Sequence, residues 1–191
     1  MNNIDEMMTM WKEMDSKLSS LVEENKRLVD EIKKNNLRSS QEKLMRKYRA
    51  FIIMEAICIP LMFILFGINP LVNEKYRWAS LIYFVCFFLL EICIDGYLLY
   101  KLNSMDFYND SIIDISRKAG ANWKIHKIAI MIGIPIAIGA VVLFCLAMDS
   151  NPSMIWGVAV GGTIGLGIGL NEFFKFMKNY KVMTYGEQSL N

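Results

Sequence analysis

The sequence predicts an all-α integral membrane protein with four transmembrane helices and an N-terminal cytoplasmic coiled-coil helix. The first observation is composition: the 191 residues are 54% hydrophobic, which is high for a soluble domain of this size. The second is charge placement, because residues 1–49 hold eleven Lys or Arg and nine Asp or Glu, half of all charges. The chain is therefore expected to divide into a water-facing helix over 1–47, a membrane domain over 48–182 and a flexible tail over 183–191.

The membrane domain contains four apolar stretches with the roughly 20 residues that a helix needs to cross a bilayer. They cover about 50–68, 78–102, 128–148 and 154–177. No apolar signal segment is found before the first stretch, so that stretch is expected to direct insertion itself.

The orientation of the four stretches is predicted from basic residues in the short flanking segments. Twelve Lys or Arg flank the stretches on the side that carries both termini, whereas Lys75 and Arg77 are the two on the other side. Because cytoplasmic loops are enriched in Lys and Arg, both termini are expected in the cytoplasm of a multi-pass protein of the cell (inner) membrane.

The N-terminal segment follows a seven-residue repeat typical of a coiled coil. The a and d positions are Ile4, Met7, Trp11, Met14, Leu18, Leu21, Asn25, Leu28 and Ile32. Asn25 at an a position favours a parallel pair in register, whereas Met8, Val22 and Val29 at e positions widen the stripe and suit more helices or a partner. Docking of this helix on the protein's own cytoplasmic loops is the alternative.

Two further features are predicted near the inner membrane surface. The repeat weakens over residues 35–41, which indicates a short break before the basic run 42–49 that should lie against anionic lipid. In the loop between the second and third stretches, an amphipathic helix is predicted that ends at Gly120. Its apolar positions are Met105, Tyr108, Ile112 and Ile115.

The fourth stretch carries a stripe of glycines at intervals of four residues, which is three overlapping GxxxG motifs. The stripe consists of Gly157, Gly161, Gly165 and Gly169. Such a stripe lets another helix approach closely. The partner is expected to be either another helix of the same chain or a second copy in a homo-oligomer, a glycine zipper.

Four acidic residues fall inside the apolar stretches, namely Glu55, Glu91, Asp95 and Glu172. All four map to the cytoplasmic half, and ionisable groups in a membrane ordinarily face a partner or a cavity. They are interpreted either as neutral, hydrogen-bonded acids with interfacial ion pairs or as a proton or cation site built from Glu55, Glu91 and Asp95. The basic partners considered are Arg49, Lys101, His126, Lys127 and Lys175.

The sequence offers no support for an enzyme, a cofactor or a metal site. The single histidine excludes histidine-based triads and HExxH sites, and there is no P-loop. The four cysteines lie in apolar stretches without a CxxC pair, and the net charge of +2 is too small to indicate nucleic-acid binding.

The run MWKEMDSKLSSLVEENKRLVDEI, followed by KYR and four apolar stretches, resembles small bacterial membrane proteins, some of which are of the anti-sigma-regulator type. The chain lacks the His/Cys zinc signature of many anti-sigma domains, and no functional residue carries over. The resulting hypothesis is a non-enzymatic, membrane-anchored regulatory protein whose N-terminal helix self-associates or binds a cytoplasmic protein. The alternative is an oligomeric ion channel or transporter with its site at the inner-leaflet acids.

Overall fold

The computed structural model describes residues 2–107, 109–148 and 152–185, and in these residues the secondary structure is helical with no strand. The elements are α1 (Asn2–Met62), a π-helical turn (Phe63–Ile68), α2 (Glu74–Asn103), α3 (Ile112–Ala147) and α4 (Pro152–Tyr185). Each of the four α-helices contains a window long and apolar enough to cross a membrane. The predicted all-helical chain with four helices of that length is thus confirmed.

The first helix is continuous over 61 residues, so the predicted break at residues 35–41 is wrong. This polar segment is where α1 first meets the rest of the molecule. Leu37 is buried there, and the buried Gln41 donates a hydrogen bond from Nε2 to the carbonyl oxygen of Leu102 over 2.6 Å. The heptad repeat weakens here because the side chains of α1 begin to pack against the end of α2 and no longer form an exposed apolar seam.

The predicted short helix ending at Gly120 is also wrong in its extent. The helix begins after Ser111, whose side chain accepts a hydrogen bond from the backbone N–H of Asp114, and α3 then continues through Gly120 into the third apolar stretch. A β-carbon at Gly120 would lie 3.7 Å from a side-chain carbon of Thr184, so this position lies against α4. Tyr108 of the predicted pattern lies outside the described residues.

The four helices form an antiparallel ring in which each contacts its neighbours in the chain and α4 also contacts α1. The start of α2 meets the end of α3, where the Asn73 N–H donates to the carbonyl oxygen of Ala147 over 2.9 Å. At the other end, Ser116 of α3 donates to the carbonyl oxygen of Thr184 in α4. Met183, which the sequence placed in the tail, is buried in α4, and residues 186–191 lie outside the described part.

Buried side chains form two clusters, one towards each end of the four-helix bundle. The larger cluster joins all four helices at the end that carries the N-terminal extension and includes Leu44, Tyr48, Leu98, Ile115 and Tyr180. The smaller cluster surrounds Phe66 and Met148 at the other end. Glu55 of α1 and Glu91 and Asp95 of α2 lie between the two clusters, in the middle of the bundle.

Candidate functional site

Three of the four predicted acids come together where α1 faces α2. Glu55 lies near enough to Asp95 and Glu91 to interact with both electrostatically, and Glu91 and Asp95 are one helical turn apart. Asp95 is only 8% exposed. Among the described residues, none of these carboxyl groups has a hydrogen-bond donor or a basic partner, and Oε2 of Glu55 is buried without one.

A cavity of about 260 Å³ opens beside two of these acids, between α2 and α3. Glu91, Asp95 and His126 supply its polar lining, and most of the remaining wall is apolar, including Phe87 and Ile134. The wall of α3 comes close to the acids at Gly133, where a β-carbon would lie 3.2 Å from Oε1 of Glu91. The result is a largely apolar cavity, open on one side, with carboxyl groups on one wall.

His126 at the edge of this cavity belongs to a buried hydrogen-bonded network that the sequence did not reveal. The Tyr48 hydroxyl lies 2.9 Å from Nδ1 of His126 and 3.0 Å from the Tyr180 hydroxyl. Nδ2 of Asn122 donates to the Tyr180 hydroxyl over 3.1 Å and to the carbonyl oxygen of Leu98 over 3.3 Å.

When each hydroxyl group donates once within this network, the order of donors runs from Asn122 to Tyr180 to Tyr48 to His126. Nδ1 of His126 is then the acceptor, and the neutral ring carries its proton on Nε2. The ring is held by stacking on Trp123 and Phe176. The one signal in the sequence was the spacing of Asn122 and His126, which puts both on one face of α3.

The fourth acid, Glu172, does not join the others. It forms ion pairs with Lys47 of α1 and Lys175 of α4, each over 2.6 Å. Lys175 was among the predicted partners and Lys47 was not. This acid therefore fits the interpretation as an interfacial ion pair that ties α4 to α1, whereas the interpretation as a ligand site rests on the other three.

The four cysteines are free thiols. Within the part of the chain that the structure describes, no group of three or more His, Cys, Asp or Glu side chains is placed to hold one metal ion.

The predicted coiled-coil seam is exposed along its whole length. Trp11 of the seam is 66% exposed, and the seven other apolar members are all more than half exposed. Side chains of α1 that touch the other helices begin only near Leu37. The described residues therefore do not dock this segment on the cytoplasmic loop, and the prediction of such docking is wrong for them.

The glycine stripe of α4 is also open. No other part of the described chain lies within 4 Å of the position that a β-carbon would take at any of its four glycines. The same holds for Gly162 and Gly167 off the stripe. The alternative in which the stripe packs on another helix of the same chain is therefore wrong for the described residues.

These features define the class as an all-α protein with four helices of membrane-crossing length, a long helical extension and an acid-lined cavity. Comparisons with protein families, with curated proteins and with solved structures found no match to this chain.

Proposed function

We propose that the protein is a non-enzymatic, membrane-anchored interaction protein that self-associates through its N-terminal helix. The single observation that supports the proposal most is an exposed apolar seam over residues 4–32 on a helix that continues unbroken into the first apolar stretch. A bare apolar seam of eight large side chains in water is unfavourable, and a coiled coil is the common way to cover one.

Membrane anchoring is supported by the surfaces of the bundle. The apolar windows of the four helices are largely unburied within the chain, from none of the window in α4 to 22% in α2. Helices that are apolar on all faces are suited to a lipid environment. Because the four helices are antiparallel, both termini lie on the same side of the bundle. The Lys and Arg excess on that side supports a cytoplasmic position for the N-terminal helix.

The occupant of the seam is a second copy of this chain. Copies anchored in one membrane with the same orientation project their N-terminal helices in the same direction, so the helices can meet only in parallel. Two Asn25 side chains then face each other at an a position and can bond, which fixes the register. Thirty-odd exposed residues before the bundle correspond to a rod of roughly 45 to 50 Å.

The open glycine stripe supports a second contact within the same assembly. A helix without side chains along one face lets a neighbouring helix approach closely, and such faces drive association within lipid. Close contact at α4 and coiled-coil pairing of α1 would make one assembly with a membrane part and a cytoplasmic part. A cytoplasmic protein that recognises the paired helix would supply the regulatory role.

The test is disulfide crosslinking of the full chain in native membranes after replacement of Cys58, Cys86, Cys93 and Cys145. Asn25→Cys places thiols at facing a positions of a parallel pair, within the distance that a disulfide spans. A dimer should form on mild oxidation. Ser16→Cys at the outward f position is the matched control and should stay monomeric.

Adding Leu21→Glu to the Asn25→Cys variant should abolish the crosslink, because it buries a charge in the seam. Equal crosslinking at positions 25 and 16, or a crosslink that survives Leu21→Glu, would mean that the coiled coil does not form. Pull-down of crosslinked partners with and without residues 1–40 then identifies any cytoplasmic protein bound by the helix.

A second candidate function, an ion channel or transporter, is favoured by the convergence of Glu55, Glu91 and Asp95 in the bundle. It is separated from the first by Glu91→Gln combined with Asp95→Asn. A self-associating regulator should keep its crosslink and its partner in this variant, whereas a cation pathway should lose flux in proteoliposomes.

A further inference from the structure

The cavity between α2 and α3 has the chemistry of a ligand site, and it is independent of the self-association proposed above. Asp95 lines it, is more than nine-tenths buried and has no donor or cation among the described residues. A carboxylate in such surroundings is costly unless it is paired with a donor or cation or takes up a proton. Among the described residues, no Lys or Arg lines the cavity wall.

A partner that suits these carboxyl groups is positively charged or rich in hydrogen-bond donors. Glu91 adds a second carboxyl group to the same wall, whereas His126 offers its Nδ1 to the Tyr48 hydroxyl and adds no positive charge in that state. A ligand that enters here therefore gains most by carrying a cation to the acid pair. An ammonium group suits this, with up to three donors for two carboxylates.

The shape and lining of the cavity narrow the class of cation. About 260 Å³ holds several waters at ~30 Å³ each, far more than a bare ion occupies. The walls away from the acids are mostly apolar and include the aromatic residue Phe87. Apolar walls with a few converging polar groups are typical of sites for small organic molecules.

We propose that this cavity binds an ammonium group attached to a small apolar body, with Glu91 and Asp95 as the anionic anchors. Two sources could supply that chemistry, a free organic amine or the ammonium headgroup of a membrane lipid. Residues 126–137 of α3 line the cavity over roughly 16 Å, so the site extends along the bundle from the level of His126.

The experiment measures binding of tritiated phenethylamine, an ammonium at neutral pH, to the full chain in phosphatidylglycerol nanodiscs. Saturable binding is expected, and propylbenzene, which has the same ring without the charge, should fail to displace it. Asp95→Asn and Glu91→Gln should each weaken binding by about tenfold or more, because each removes a charge-assisted hydrogen bond. Glu172→Gln, an acid outside the cavity, should bind like the parent.

Ala129→Leu keeps both acids but fills space on the α3 wall, and it should also weaken binding. This variant and Glu91→Gln decide the test if Asp95→Asn fails to fold. The proposal is overturned by absence of saturable binding, by binding that none of these substitutions changes, or by equal displacement with propylbenzene.

A second arm repeats the measurement with phosphatidylethanolamine added to the nanodiscs. Lower apparent affinity for phenethylamine would support the site with a lipid headgroup as its ordinary occupant, since lipid and amine then compete. Unchanged affinity would support the site with a free amine as its ligand.

Discussion

Tyr48 links three helices through one hydroxyl group. It is fully buried in α1 and bonds His126 of α3 and Tyr180 of α4. Tyr48→Phe leaves the ring packing in place but deprives both partners of a buried hydrogen bond. A cost of about 1–3 kcal/mol in the free energy of unfolding is expected.

Denaturation by sodium dodecyl sulfate in mixed micelles measures that loss. Tyr100→Phe is the matched control, because Tyr100 is 69% exposed and its substitution should leave the transition where it was. Equal stability of both variants would mean that water replaces the Tyr48 hydroxyl without cost.

Asp110, just before α3, gives a pH prediction at a single side chain. The hydrogen bond from the Lys118 ammonium lowers the pKa of its carboxyl group, and the Asp106 backbone N–H lowers it further. Because the folded pKa is lowered, the interaction stabilises the fold above the ordinary pKa of an unfolded aspartate, and that stabilisation is lost as pH falls through the folded value.

Carbon-13 NMR titration of labelled aspartate in micelles should therefore place the Asp110 midpoint below the ordinary aspartate range. Lys118→Ala should return it towards that range, whereas Lys124→Ala, a change elsewhere on α3, should not. A midpoint that ignores Lys118→Ala would mean that the ion pair is not populated in solution.

The two halves of α4 have different surroundings in the bundle. From Glu172 on, α4 packs on α1 and α3. Before that point, no other part of the described chain lies within 4 Å of the position that a β-carbon would take at any of its glycines. Gly161→Leu or Gly165→Leu has space in the single chain, so stability of the monomer should change little. Association through the stripe should fall strongly, since the side chain separates the two helix axes.

Glutaraldehyde crosslinking of the Leu21→Glu protein isolates this membrane contact from the coiled coil. Gly162→Leu is the control, as it is equally open in the single chain but lies off the stripe. If all three leucine variants crosslink alike, the stripe contacts lipid rather than another copy.

The positions of the helices were largely predictable from the sequence, whereas the contacts that each helix makes with the others were not. Length and apolarity locate the four stretches because they are properties of each segment alone. Which side of α4 faces the bundle depends on how the ring closes, so one GxxxG pattern fits an internal or an external partner equally well. The continuous α1 was missed because residues 35–41 lose the heptad repeat without losing helix-compatible side chains.

The acid cluster was partly predictable for a geometric reason. When successive stretches cross the membrane in opposite directions, Glu55, Glu91 and Asp95 lie at a similar depth in it. Their convergence then requires only that α1 and α2 are neighbours. The cavity and the Tyr48 network could not be foreseen, because they depend on the rotation of α3 about its axis. Asp95 and His126 share a cavity only through that rotation.

Taken as a whole, the molecule is packed unevenly along its length. The larger buried cluster ties all four helices at the end that carries the extension and the C-terminal part of α4, and the acids and cavity lie inward of it. If the basic residues orient the chain, that tight end meets the cytoplasm and the short connection between the π-helical turn and α2 lies outside.

Cysteine labelling of intact cells with a membrane-impermeant maleimide tests this orientation in the cysteine-free background. Glu74→Cys, exposed at the start of α2, should label from outside. Ser19→Cys in the extension and Lys178→Cys in α4 should label only after the cells are broken. Labelling of all three in intact cells would show that the chain does not span the membrane as a ring of four. The inverse pattern would retain the ring but reverse its orientation, which would remove the cytoplasmic partner from the proposal and leave the coiled coil outside the cell.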